Sequence, residues 1–318
     1  MNRIISYVLL ALLAMALQTQ VSHAQDAILS QFFSSPMYLN PAFAGTENGY
    51  RMVTNFRSHP IPDASSFSTL SASMDVYAPS LYGGLGIIAT SDYLGNMAWT
   101  NHIDAVYAVH LQLSRKWHMN FGAQAGYFRR DFRWGNLDFI DPGQPPPEHN
   151  YAHAPNFGAG LLAYNDRIYT GIAAHHLTEP KQSLFSDESL PRKYTAHLGL
   201  HLAPSKIRPA NTLLVDFFVS PNIILQHQGG FNRINYGVYA GVESIVAGAW
   251  YRQNLDEPSA MIFVVGINRE SLNLGYSYDY SLSGFTDVRH GIHEISISYI
   301  LMTEEQERRA RRLEFPRY

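Results

Sequence analysis

LNLGYSYDYS at 272–281 and HEISISYIL at 293–301 decide the fold. In the first stretch Leu272, Leu274, Tyr276, Tyr278 and Tyr280 alternate with Asn273, Gly275, Ser277 and Asp279. In the second, Ile295, Ile297, Tyr299 and Leu301 alternate with Glu294, Ser296, Ser298 and Ile300. Period-two alternation puts each set on its own face of a strand. A soluble sheet with one wet face would carry the same pattern. Two features favour a membrane barrel instead: the pattern recurs along nearly the whole chain, and an export signal precedes it. In such a barrel the apolar face meets lipid and the small or polar face lines the lumen. The last strand then closes on the first, which removes the sheet edge that lipid cannot satisfy.

Composition agrees. The chain has 318 residues, a net charge of −3, 20 Tyr and 17 Phe, and only 15% charged residues. That charge argues against a nucleic-acid partner, and abundant aromatics suit membrane interfaces. Met1 to Ala24 reads as a signal peptide: Arg3 is the basic region, Tyr7 to Leu17 the apolar one, and Ser22-His23-Ala24 the cleavage site. An apolar run of about eleven residues is too short to span a bilayer. The expected mature start is Gln25, in a chain without Cys.

The expected organisation is a signal peptide at 1–24, an N-terminal segment at 25–46, a barrel at 47–302 and a charged tail at 303–318. The segment QDAILSQFFSSPMYLNPAFAGT carries Phe and Tyr that need burial, so it is read as folded against or inside the barrel. Alternation marks strands at Tyr50–Arg57, Ser68–Val76 and Tyr82–Asp92, then around 103–113 and 117–127. Others follow at Phe157–Tyr164, Ile168–His175 and Tyr194–Leu202. Residues 129–154 and 177–192 read as long loops. Thr212 to Gln228 is either two strands broken at Ser220-Pro221 or one strand with a bulge there; the bulge is preferred because Pro is tolerated at bulges. With Ile234–Glu243, Val246–Arg252, Met261–Ile267 and the final hairpin, the count is about fourteen antiparallel strands, all-β. An even count returns both ends of the barrel sequence to one side. Turns near Pro79, Arg115, Asn165, Pro204, Ser244 and Asn268 then share one side, and the long loops share the other.

No catalytic, metal or cofactor site emerges. His102, His110, His118, His197 and His201 share the expected lumen face with Asp104 and Asp216, but eight-residue spacing on a strand is unlike compact metal-ligand motifs. They read as a hydrogen-bonded lumen network. His175 and His176 are adjacent on a strand, where neighbours point to opposite faces, and His176 is expected to order the 177–180 loop. Ser281 and Ser283 with His290 are the nearest approach to a nucleophile and base, without a Gly-x-Ser-x-Gly elbow. In the tail, acids at 304, 305 and 307 precede Arg308, Arg309, Arg311 and Arg312. Phe315 and Tyr318 add aromatic anchors of the kind that dominate binding hot spots, so these six residues are the expected partner-binding set.

Several blocks resemble the PorP/SprF family of the Bacteroidetes type IX secretion and gliding system: the 25–46 segment, GIAAHHLTEPKQSLF at Gly171, LPRKYTAHLGL at Leu190, and the final hairpin. The ending Phe315-Pro316-Arg317-Tyr318 is similar to family endings, although Phe315 stands where a Cys often does. The resemblance implies a non-enzymatic protein of the cell outer membrane. Its implied partners are periplasmic ring or peptidoglycan-associated subunits of the secretion system, and a secreted adhesin. The alternative is an outer-membrane channel for a small hydrophobic solute; an apolar pocket inside the barrel would favour it, a lumen packed shut would favour a scaffold.

Overall fold

Fourteen strands pair in sequence order, and the fourteenth pairs with the first. The computed structural model describes residues 26–47, 49–60, 66–95, 97–133, 151–182, 188–202, 217–254, 259–269, 271–282 and 291–302. The strands are β1 (Tyr50–His59), β2 (Phe67–Ala78), β3 (Gly83–Leu94), β4 (Ala98–Gln112), β5 (His118–Phe132), β6 (Tyr151–Tyr164) and β7 (Ile168–His175). They continue with β8 (Lys193–Leu200), β9 (Phe217–Gln228), β10 (Phe231–Val242), β11 (Ile245–Asn254), β12 (Ala260–Arg269), β13 (Leu272–Ser281) and β14 (Ile292–Leu301). All neighbours are antiparallel, and the seam runs from Tyr50↔Leu301 to Ser58↔His293. The closed ring leaves no edge for lipid to meet. The end holding Tyr50 and Leu301 is called proximal here, and the end holding His59 distal.

The outward face is the apolar set. Ile295, Ile297, Tyr299 and Leu301 are exposed, while Ser296 and Ser298 are buried. Exposed Trp99, Tyr127, Tyr194 and Tyr280 lie toward the distal ends of their strands. Tyr50, Tyr82 and Trp117 lie at the proximal end. Two aromatic girdles flanking an apolar band are what a bilayer selects.

Four details depart from the sequence reading. The first is that β5 runs on to Phe132 and β6 starts at Tyr151, so the connection is shorter than 129–154. Arg129 and Asp131 read as loop because they are charged; in fact they point outward and pair with each other at 2.8 Å. Secondly, β9 has no bulge. Its register with β10 is unbroken through Val238↔Pro221 and Tyr239↔Ser220, and the pairing with β8 resumes in register at Leu202↔Val219. Proline has no amide hydrogen to give Leu200 across the ladder. The Ser220 hydroxyl donates to Leu200 O instead, at 2.7 Å.

Thirdly, the ends are less sorted than expected. Tight turns at 79–82, 113–117, 165–167 and 243–244 are proximal, but so is the long β8–β9 link at 201–216. The distal end has the links 133–150, 176–192 and 282–291, yet also the two-residue Gly229-Gly230 turn. Finally, the inner face is not uniformly small or polar. Leu162, Tyr169, Ile224, Tyr239, Val246, Trp250, Ile262 and Val264 form one buried apolar cluster from β6 to β12.

Ile297 stands in the middle of β14 and faces out. Ile297→Arg should cost about 2–4 kcal/mol if it lies near the bilayer midplane. Denaturant unfolding from phospholipid vesicles measures this, and a cost of only about 1 kcal/mol would move the residue to an interface.

Candidate functional site: the occupied lumen

Both halves of the inner wall converge on one stretch of chain, residues 26–47. It contains one helical turn, α1 (Pro36–Leu39), and a 3₁₀ turn at Pro41–Phe43. Proline at the start of each turn suits a position whose amide would be unpaired anyway. Asn40 joins the two: its extended backbone ends α1, and its side chain accepts from Ala42 N at 2.9 Å. The stretch enters among residues at distal strand ends and leaves toward β1 at the proximal end.

At the distal end Asp26 is the anchor. Lys193 Nζ donates to its Oδ2 at 2.6 Å, and His176 Nε2 lies 2.8 Å from the same oxygen. Burial alone would push the Asp26 carboxyl up, but His176 and Lys193 hold it well below the usual carboxylate range. His176 has a left-handed backbone, φ 56°. That breaks the strand alternation, so His175 and His176 are both buried inside. His176 therefore holds the inner segment through Asp26 as well as starting the 177–180 turn, where Glu179 N donates to its carbonyl.

Two residues in from the distal ends of β1, β11, β13 and β14 lies a charged cluster. Arg57 Nη2 and Arg252 Nη1 each donate to Asp279 Oδ2 at 2.9 Å. Arg57 also reaches Glu294 at 3.2 Å. Two cations and two anions balance, and the inner segment adds bonds to them, although Asp279 Oδ1 is left without a partner. Ser30 N donates to Glu294 Oε2 at 2.7 Å, and Ser30 Oγ to Asp279 Oδ2 at 2.6 Å. Gln31 Nε2 donates to Glu294 O at 2.9 Å, and Ser296 Oγ donates to Gln31 Oε1 at 2.6 Å. Buried ions without such bonds would cost several kcal/mol each.

The middle is held by Asn40. Its Nδ2 donates to Leu161 O at 3.0 Å and Ile172 O at 3.2 Å, and lies 3.2 Å from His197 Nε2. Asn120 donates to Ala42 O at 3.1 Å. Gly122 permits the approach, because a Cβ there would sit 2.2 Å from Ala42 N. Phe32 packs at a tilt against Trp250 with ring centroids 5.0 Å apart, Phe33 meets Tyr169 edge-on at 5.5 Å, and Phe43 stacks on His197 at 5.4 Å. At the proximal end Arg51 holds Asp75 through two bonds of 2.8 and 2.9 Å and also donates to Phe43 O at 3.0 Å. Gly45 N donates to Asp75 at 2.7 Å, and His110 Nε2 lies 2.8 Å from Ala44 O.

The lumen histidines are thus scattered. His197 and His110 contact the segment, while His118 stacks on Tyr164 and His201 on Phe218. His102 meets Phe128 and His176, and Asp104 accepts from Asn156 at 3.3 Å. No group of three His, Cys, Asp or Glu among the described residues could hold a metal. Asp216, Ser283, His290 and the tail residues Arg308, Arg309, Arg311, Arg312, Phe315 and Tyr318 lie outside the described residues, as does the expected signal peptide at 1–24. Beside the segment the voids are about 80, 40 and 30 Å³. A larger cavity of about 400 Å³ opens at the distal end.

Sequence reasoning missed the anchors because they join positions far apart, such as Ser30 and Glu294. The apolar inner cluster left one signal: Met261 to Val265 is apolar on both faces, as strands covered on both sides are.

A model of the type IX secretion system membrane protein PorP/SprF family matches residues 21–299. No curated protein matches. Among solved structures, the toluene transporter TbuX of Ralstonia pickettii is similar with a TM-score of 0.51 and 9% identity, over 84% of this chain and 92% of that one. The outer membrane protein Omp33 of Acinetobacter baumannii gives 0.44 and 8%, over 80% and 99%. At such identity the transporter supports the outer-membrane barrel fold and nothing beyond it.

The charged cluster makes the sharpest test of the filling. Asp279→Ala strands two buried guanidinium groups and should cost about 3–5 kcal/mol. Asn232→Ala, which removes exposed bonds to His227 and to Gly230 O, should cost under about 0.5 kcal/mol. Denaturant unfolding in detergent micelles compares the two.

Proposed function

We propose, from the premise that the chain belongs to the PorP/SprF family of type IX secretion system membrane proteins, that it is a plugged scaffold in the outer membrane. Its role is to tie the membrane to other parts of that system, and it is not an enzyme. The observation that carries this reading is the occupied lumen. Apolar stacking, a balanced buried charge cluster and three sets of backbone bonds hold residues 26–47 across the bore. A barrel that passes solute needs an open route, whereas a barrel that presents surfaces does not.

The channel for a small hydrophobic solute has less support. The voids beside the segment are smaller than an ordinary ligand site of about 300–1,000 Å³. The distal cavity has apolar lining but also carries the charges of Asp26, Asp92 and Arg130 on its wall.

In this reading the proximal end faces the periplasm, because both sequence ends of the barrel leave there and most tight turns share it. The 1–24 stretch is removed on export. Residues 303–318 then enter the periplasm. Arg308, Arg309, Arg311 and Arg312 supply charge, and Phe315 and Tyr318 supply aromatic anchors, for ring or peptidoglycan-associated subunits. A secreted adhesin is the partner on the other side.

Deleting 303–318 should leave a folded, heat-modifiable barrel in the outer membrane and abolish co-purification of secretion-system subunits, together with secretion. Phe315→Ala combined with Tyr318→Ala should reproduce most of that loss. Unchanged co-purification from the truncated strain would remove the tail from the proposed interface.

A further inference from the structure

The distal cavity has a feature that the scaffold role does not use. Its inner wall carries one row of residues across four strands: Thr69 on β2 faces Asp92 on β3, Asp92 faces Thr100 on β4, and Thr100 faces Arg130 on β5. The row continues to Arg57 on β1, but Arg57 is taken up by Ser30, Asp279 and Glu294. Asp92 and Arg130 are only partly satisfied. Asp92 accepts from the facing Thr69 side chain, but its Oδ1 is buried with no hydrogen-bond partner, and so is Arg130 Nε. Arg130 gives Nη1 to Gln182 Oε1 at 2.5 Å, and its guanidinium lies 5.6 Å from the Phe132 ring centroid. No ion pair joins the two charges among the described residues. Their backbones are two strand spacings apart, about 10 Å, with the short Thr100 between them.

Two unlike charges held apart on one wall are costly unless something bridges them. A ligand with a single charge would satisfy one and leave the other. A metal ion would need the carboxylate and repel the guanidinium. A molecule with an ammonium at one end and a carboxylate at the other satisfies both. The rest of the cavity sets its middle: Phe67, the facing Leu94 and Ile28 of the inner segment are among its apolar lining residues. At about 400 Å³ the space lies in the range of small-ligand sites. A dipeptide has end charges about two residues apart, at roughly 3.3–3.6 Å per residue. A hydrogen bond at each end then spans the gap.

We propose that the distal cavity is a binding site for a short peptide with both termini free and apolar side chains. Its ammonium lies on Asp92, its carboxylate on Arg130, and its side chains lie against Phe67 and Leu94. The site lies on the distal side of the segment in the bore.

The test uses the full-length protein in detergent micelles, with Leu-Leu as the probe and thermal unfolding and calorimetry as readouts. Leu-Leu should raise the melting temperature in a saturable way. N-acetyl-Leu-Leu-amide, which lacks both charges, should not. Asp92→Asn and Arg130→Gln should each weaken Leu-Leu binding about tenfold or more, the value of one lost charge-assisted bond of about 1.4 kcal/mol. No saturable response to Leu-Leu overturns the proposal, and so does an equal response to the capped peptide. The capped-peptide comparison is made on the unmodified protein and stands even if a variant fails to fold. Unchanged affinity in both folded variants likewise overturns it.

Discussion

A closed ring of strands satisfies its own backbone but leaves its inner face with nothing to pack against. Water can fill that space only if the inner side chains tolerate water. Here they do not: Tyr169, Tyr239, Trp250, Ile262 and Val264 point inward, and so do the ions Arg57, Arg252, Asp279 and Glu294. Both groups depend on one occupant. Phe32, Phe33 and Phe43 cover the apolar half, and the Ser30 and Gln31 backbone and side chains complete the charged half. The occupant is equally dependent on the wall, since two short helical turns would not hold their shape alone. Wall and filling are one core, although the sequence reads as two kinds of segment.

The electrostatics follow from the same dependence. Asp279 takes two guanidinium donors and a hydroxyl, and Glu294 takes two amides of the inner segment. Such an arrangement adds little net stability compared with an apolar core, because desolvating four ions is expensive. What it supplies is position. A Phe can slide along an apolar wall, whereas Ser30 fits only where its oxygen meets Arg57, Arg252 and Asp279 together. At the distal mouth the same wall leaves Asp92 Oδ1 and Arg130 Nε without hydrogen-bond partners, as it leaves Asp279 Oδ1 within the cluster.

How much of this was legible in the residues depends on the range of each signal. Alternation is local, so Ile295 to Leu301 announced both the strand and its lipid face. The strand count and the closure of β14 on β1 follow from adding such windows. Turn chemistry is local too, and Asn165-Asp166 gave the β6–β7 hairpin. The misreadings have other causes. Pro221 looked like a break because the Ser220 hydroxyl that replaces its amide is visible only across the ladder. His176 looked like an outward neighbour of His175 because nothing nearby signals its left-handed backbone. Arg129 and Asp131 looked like loop because a strand reaching past the apolar band carries charge on its outer face. The anchors of the inner segment could not be read at all, since Asn40 and the Leu161 carbonyl, or Arg57 and Asp279, are neighbours only after folding.

The route of the inner segment has a topological consequence. Asp26 is fixed among Lys193, His176 and Gln228 at one mouth, and Gly45 is fixed to Asp75 near the other. Between them the chain runs through the bore like a thread through a bead. A thread can be drawn through a finished bead only if it is narrow, and Phe32, Phe33, Met37 and Phe43 are not. The β1–β14 pairing completes a hoop around the thread, so a covalently continuous leader is also a captive one. Cutting the chain between the segment and β1 after that point would leave both pieces together, locked by geometry as well as by bonds.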